Sequence, residues 1–420
     1  MRVNKWTLGL AAAGVVSLGS AVQAEETSNT VLTGLSSTTL SGYVDTSAMW
    51  NFGTGNANPV PVRFNQGKQD GFNLNVVQLS LARPLSENNW AAGYRVDLWM
   101  GPDAAQLDTA SLQSGFTQGD LAIRQAYVAL RTPLGNDIEW KIGVFDSIIG
   151  YESVASPSDP NYTRSYGNTL EPTSNTGLLA SYRFCEEFNI SAGIANTVGP
   201  NINQRAFNTP GVPPLTNPQA ESFKTYMGSF TVVAPDSLGF LAGSSLYGGI
   251  VNGFNDAVNE TAYQNNSTSY YLGATFVTPV NGLRFGTAFD WLHIHNWSEV
   301  LASAPVPLFG GDGNSWSLGL YGSLQATEAF SIHLRGEYVN DNAGFFFGPF
   351  GEDQTGNVVE RAQVFEVTTT AQYDLWKNVI SRAEFRWDHI EHGNAFGGTI
   401  PGSPIYANAY MLAANIIYQF

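Results

Sequence analysis

The thirteen residues Asn408–Phe420, NAYMLAANIIYQF, decide how the rest of the chain is read. Tyr410, Leu412, Ala414, Ile416, Tyr418 and Phe420 recur at every second position. Successive side chains of a strand point to opposite faces, so a period of two marks a strand with one apolar face. Termini of soluble domains are usually polar and frayed. An apolar face carried to the last residue needs a partner, either a second sheet or lipid.

The same alternation recurs upstream. In WAAGYRVDLWM (Trp90–Met100), Trp90, Ala92, Tyr94, Val96, Leu98 and Met100 share one parity, while Ala91, Gly93, Arg95, Asp97 and Trp99 share the other. FSIHLRGEYV sets Phe330, Ile332, Leu334 and Tyr338 against Ser331, His333, Arg335 and Glu337. VISRAEFRWDHI sets Val379, Ala383, Phe385 and Trp387 against Arg382, Glu384, Arg386 and Asp388. LRFGTAFDWL places Leu283, Phe285, Phe289 and Trp291 opposite Arg284 and Asp290.

Alternation alone fits a soluble sandwich or a membrane barrel; the connections separate them. Sixteen strand-like runs start near residues 39, 72, 90, 121, 137, 175, 188, 222, 238, 268, 283, 315, 330, 362, 379 and 408. Short connections (PLSENN, TPLGND, CEE, PDS, PVNG, DLWKN) alternate with long ones near 51–71, 101–120, 146–174, 199–221, 252–267, 295–314, 342–361 and 391–407. Outer-membrane barrels pair short periplasmic turns with long external loops, whereas sandwiches mix connection lengths. The expected fold is therefore all-β, a transmembrane antiparallel up-and-down barrel of about 16 strands, with the last strand closing on LSGYVDTSAMW. Trp50, Trp99, Trp291 and Trp387 at upper strand ends, with Trp90, Trp140 and Trp376 near lower ones, are expected to form two interfacial girdles.

Composition agrees. With 44 Gly, 13% aromatic and 13% charged residues, the chain fits many turns and little helix. Met1, Arg2 and Lys5, then WTLGLAAAGVVSLG and SAVQA, form the head, apolar stretch and cleavage site of a signal peptide, residues 1–24. A polar segment, 25–38, and one barrel, 39–420, would follow. Without Arg2 and Lys5 the 19 basic residues become 17 against 35 acidic, a net −18 that argues against nucleic acid as a partner. Cys185 is the single cysteine, so no internal disulfide can form.

SGYVD (Ser41–Asp45), IRQAYVALR (Ile123–Arg131), GVFDSIIGYE (Gly143–Glu152), NYTRSY (Asn161–Tyr166) and EPTSNTG (Glu171–Gly177) resemble a bacterial outer-membrane porin, specifically the OmpL-like family called putative β-barrel porin-2. The family pattern has Pro where this chain has Ile149. The resemblance implies an outer-membrane location and lipid contact. It implies that terminal Phe420 is read by the assembly machinery, and it makes a homotrimer the expected assembly. It also implies that the loop from Asp146 to Ser174 folds into the channel as a constriction, bringing Asp146, Glu152, Asp159, Arg164 and Glu171.

No Gly-Xaa-Ser-Xaa-Gly elbow sits at a strand–helix junction, so the reading is non-enzymatic and requires no cofactor. His293 with His295, and Asp388, His389, Glu391 and His392, are weighed as metal ligands and set aside as interfacial side chains. GFFFGPFG (Gly344–Gly351) reads as a loop packed on its own aromatics over the barrel mouth, or as an apolar slide or subunit contact.

Charge on strands carries the functional reading. An Arg or Lys facing lipid costs roughly 2–4 kcal/mol at the midplane. Arg95, Asp97, Glu139, Lys141, Arg284, Asp290, Arg335, Glu337, Arg382, Glu384, Arg386 and Asp388 are therefore expected to line the channel. Sixteen strands enclose an aqueous lumen, which makes the leading function passive diffusion of small hydrophilic solutes, mildly cation-preferring. A structural or adhesive barrel with a plugged lumen is the alternative, and an outer-membrane hydrolase comes third.

Overall fold

A computed structural model describes residues 37–56, 58–107, 109, 119–203, 223–254, 266–297, 311–342, 345–347, 351–352, 358–359, 362–397 and 405–420. The signal-peptide expectation lies outside these residues. Period-two alternation becomes sixteen strands. The first four are β1 (Thr39–Phe52), β2 (Gly71–Arg83), β3 (Ala91–Met100) and β4 (Leu121–Thr132). Next come β5 (Ile138–Asp146), β6 (Ser174–Arg183), β7 (Phe188–Ala195) and β8 (Thr225–Val233). They are followed by β9 (Ser245–Phe254), β10 (Asn266–Val277), β11 (Leu283–Trp297) and β12 (Gly311–Gln325). The last are β13 (Phe330–Asp341), β14 (Ala362–Trp376), β15 (Val379–Ile390) and β16 (Asn408–Gln419).

Each strand pairs antiparallel with the next, and β1 pairs with β16, closing the barrel. Along β16, Tyr410, Leu412, Ile416 and Tyr418 are exposed, whereas Met411, Ala413, Asn415 and Ile417 are buried. At the seam Gly42 and Phe420 exchange both backbone hydrogen bonds at 3.0 Å. Gly42 has no side chain because a Cβ there would lie 2.7 Å from the Phe420 ring and 2.1 Å from the Gln78 carbonyl oxygen. Two short helices, α1 (Pro102–Leu107) and α2 (Tyr166–Leu170), lie in the long connections.

Three details depart from simple alternation. β9 starts at Ser245 rather than near residue 238, because Asp236–Leu241 coils into a 3-10 turn. Gly239 and Gly243 take φ of 62° and 82°, which breaks the extended chain, while Leu238 and Phe240 keep the exposed apolar character of a strand face. Trp99 is not a girdle residue. It is 1% exposed inside the barrel, donates to Gln78 Oε1 at 2.7 Å and packs on Phe64. Its parity with Arg95 and Asp97 requires that side. The other six tryptophans lie on the outer side, Trp376 because a register shift between Asp374 and Trp376 reverses the parity of β14 there, and Trp90 and Trp376 are the most exposed. Finally, a bulge opposite Asp97/Leu98 leaves Arg124 out of the ladder, so that Arg124 and Gln125 both turn inward.

Candidate functional site

The connection between β5 and β6 lies inside the barrel, and most of its residues are buried. It begins where Asp146 takes the Arg124 guanidinium at 2.6 Å. Ile149 fits among Phe145, Leu179, Ala195, Met227 and Val251, an apolar seat for the side chain standing in place of proline. Gly150 follows with φ 131°, where a Cβ would sit 2.3 Å from Glu171 Oε2, so only glycine fits. Tyr151 then stacks on Tyr321 with ring centroids 4.0 Å apart.

Beyond Tyr151 the segment lies on the wall made by β13–β15. Arg382 donates to the Ser156 carbonyl at 3.1 Å, and Arg386 to the Arg164 carbonyl at 2.7 Å. Glu384 accepts the Tyr162 and Thr163 amides at 2.6 and 2.9 Å. Arg335 is the hub. It reaches Glu152 at 2.8 Å, the Thr163 carbonyl at 2.7 Å and Glu366 at 3.1 Å. Ser165 caps α2 by accepting the Asn168 amide, and Glu337 accepts the Tyr166 and Gly167 amides at 2.9 and 3.1 Å. Asp159 pairs with Arg164 within the segment.

A second layer holds the segment from outside. Phe346 meets Tyr166 edge-on at 5.0 Å, and Phe347 meets Phe396 at 5.8 Å, with Val60, Val62 and Leu170 filling the cluster. Phe345–Phe347 are the part of the Phe-rich loop whose side chains are described, and they pack onto this inward segment rather than only on each other. Asp341 fixes that loop by accepting the Phe345 and Phe346 amides. Arg63 reaches in from the β1–β2 connection to the Glu171 carbonyl at 2.6 Å.

The twelve strand charges named from sequence fall into two groups. Arg335, Glu337, Arg382, Glu384, Arg386 and Asp388 point inward but are at most 5% exposed, so they face the inserted segment instead of open water. This corrects the expectation that they line the channel directly: a charge kept out of lipid can be met by polypeptide as well as by solvent. Asp290 is buried with them. Asp97 is fully buried too, with Arg95 at 2.8 Å and the Gln125 amide at 2.9 Å. Glu139 bonds Arg131 at 2.6 Å, Lys141 lies 5.1 Å from the Tyr127 ring centroid, and Arg284 is exposed near the short-turn end.

Sequence reasoning missed Arg63, Arg124 and Glu366, and also Lys68, which pairs with Asp103 at 3.4 Å and lies over the Tyr162 ring of the segment. Glu366 shares inward parity with Thr368 and Thr370 on β14 and was readable that way. Arg124 needed the bulge, and Arg63 and Lys68 sit on a loop, where parity gives no signal. His293 and His295 meet edge-to-face at 4.1 Å. Among the described residues no His, Cys, Asp or Glu group is disposed to hold a metal ion. Cys185 is an exposed free thiol in a short turn.

No curated relative matches the sequence. Solved structures share the fold at low identity. The outer-membrane channel DcaP of Acinetobacter baumannii is 12% identical with a TM-score of 0.55, over 91% of this chain and 97% of that one. An anion-selective porin from Comamonas acidovorans is 12% identical with a TM-score of 0.56, over 91% and 99%. In vitro folded OmpT of Vibrio cholerae, in a trimer form, is 11% identical with a TM-score of 0.54, over 91% and 99%. The family described as putative beta-barrel porin-2, OmpL-like, matches residues 37–420, so the chain belongs to it and is an outer-membrane β-barrel channel of the porin kind.

Proposed function

We propose that the protein is a passive diffusion channel for small hydrophilic solutes, mildly cation-preferring, with the segment between β5 and β6 as its constriction. The supporting observation is that segment's position, buried inside the barrel and hydrogen-bonded to β13–β15. Passage then depends on the space the segment leaves and on charge still open to water, with no catalytic step and no cofactor. The constriction residues are Asp146, Glu152, Asp159, Arg164 and Glu171. Arg95, Glu139, Lys141 and Arg284 keep contact with the lumen, while the buried strand charges act by holding the segment.

The cation preference rests on two features. Arg335, Arg382 and Arg386 are engaged by carboxylates and carbonyls, so they lend little field to the open passage. The whole chain carries 35 acidic against 19 basic residues. Charge at the mouth acts within about a Debye length, roughly 10 Å at 0.1 M salt, so the preference should fade by about 1 M. A homotrimer is the proposed assembly, in keeping with the trimer form of the Vibrio cholerae neighbour. Phe420, bonded to Gly42 at the seam, is the proposed assembly signal.

Single-channel recording of refolded protein, in salt gradients and with neutral sugars of graded size, tests this reading. Conductance with cation preference at low salt is expected. A silent barrel would favour the plugged surface protein, and anion preference would overturn the charge argument.

A further inference from the structure

Four tyrosines form a run of rings on the inner wall, at the edge of the inserted segment. Tyr247 of β9 lies beside Tyr271 of β10, with ring centroids 5.8 Å apart and planes at 15°. Tyr151 of the segment lies 6.4 Å from Tyr247 at 31°, and it stacks on Tyr321 of β12 at 4.0 Å and 22°. The wall beneath is shaped for rings lying flat. A Cβ on Gly273 would meet the Tyr247 ring at 2.6 Å, one on Gly319 would meet the Tyr321 ring at 2.9 Å, and one on Gly286 would collide with the Tyr151 hydroxyl. Tyr271 and Tyr321 are buried, whereas Tyr151 and Tyr247 keep part of their surface open.

The surroundings of the rings are hydroxylated and carry little charge. Thr231 of β8 stands opposite Tyr247 in the ladder, with Ser229 next along the same face, and Ser245 bonds Thr275. Tyr271 Oη is buried and has no hydrogen-bond partner among the described residues. Glu152, which follows Tyr151, is engaged by Arg335 at 2.8 Å. Asp290 stands opposite Tyr271 but is buried against Gly167. Arg284 is the one Arg or Lys on β9–β12. An aromatic ring has a negative face and attracts weakly positive C–H groups laid against it. A pyranose offers such a C–H face with hydroxyls around its rim, and Ser and Thr can donate to or accept from those hydroxyls. The same wall gives an ionic solute little to pair with.

We propose that Tyr151 and Tyr247 form a stacking subsite for an uncharged pyranose sugar at the edge of the constriction. This rests on the channel reading and names a solute class for it. The buried rings of Tyr271 and Tyr321 hold the two open ones in place, and the glycines beneath keep the stack flat. A sugar pauses on the rings by its C–H face while its hydroxyls meet those of β8. No bond is made or broken, so the subsite selects and delays without trapping.

Maltose and sorbitol are the probes, used on the full-length refolded protein. Both are uncharged and rich in hydroxyls, but only maltose has pyranose faces. Maltose should interrupt the single-channel current more than sorbitol does at matched viscosity. Y247L and Y151L should each weaken that block about fivefold, the scale of one ring contact, while Y247F stays within about twofold of wild type. Saturation-transfer NMR on the detergent-solubilised protein reads the contact without a current, and maltose ring protons should receive magnetisation where sorbitol protons do not. Equal behaviour of the two probes in both measurements would overturn the subsite, and that comparison needs no variant. So would a maltose block unchanged in both leucine variants once their gel mobility shows them folded. Transfer to maltose from a barrel that conducts nothing would uphold the subsite and remove the channel reading.

Discussion

Two walls of the barrel differ in what they carry. β13, β14 and β15 together hold Arg335, Glu337, Asp341, Glu366, Asp374, Arg382, Glu384, Arg386 and Asp388. The five strands β6–β10 carry a single charged residue, Arg183. The inward side chains of this second wall are mostly small or hydroxylic. Ser181 bonds Ser191 at 2.8 Å, Ser245 bonds Thr275, and Tyr247 stacks on Tyr271. The charged wall is covered by the segment 147–173, and much of the neutral wall is only half-buried. Buried amides and carbonyls of a loop must find partners, and only the charged wall supplies donors and acceptors strong enough to hold one.

The comparison breaks most visibly at its hub. Arg335→Ala would strand Glu152 and Glu366 without their cation, and breaking a buried pair by removing one partner costs about 3–5 kcal/mol. The unheated, compact band on a gel should then unfold at markedly lower temperature, and unchanged heat resistance would show that the wall does not bear the loop. Next in size is the R382S/R386S pair. It removes the contacts to Ser156 and Arg164 and leaves Asp388 without its paired cation. Conductance and cation preference should both rise with assembly unaffected, and unchanged recordings from a folded double mutant would remove the constriction assignment.

The smallest effect is expected opposite. Ser229 is half-buried on the inner face of β8, where the segment makes apolar contact through Ile149, and Ser229→Asp adds a charge with no loop amide or carbonyl to hold. Ion preference should shift toward cations by less than about twofold at 0.1 M salt, where a lone charge is screened within ~10 Å. Heat resistance should not move. A large loss of stability from S229D would mean that the neutral wall is packed as tightly as the charged one.

Strand number, order and facing were legible because lipid allows no other pattern: period two and alternating loop lengths follow from the bilayer itself. The start of β9 was not, since Leu238 and Phe240 keep a strand's outward apolar face while Gly239 and Gly243 bend the chain underneath. The inward arginines were visible by parity. What covers them was not, because a loop's course is set by contacts between residues such as Thr163 and Arg335, 172 positions apart. That distance is beyond any local signal. Only the family resemblance pointed the segment inward.

The seam between β1 and β16 also says when the barrel can be finished. Fifteen of its strand pairs join neighbours in sequence, but Asp45 and Asn415 meet across 370 positions. Closing a loop costs about 0.6 kcal/mol more for each doubling of its length, and distant pairings make folding slow. Hairpins can form one after another, whereas the Gly42–Phe420 bonds must wait until the curved sheet brings its two margins together. Until then two rows of backbone donors and acceptors stand open, which hydrocarbon cannot satisfy. The slow step of maturation is thus the joining of the first and last strands, and the half-made sheet needs shelter for as long as that step takes.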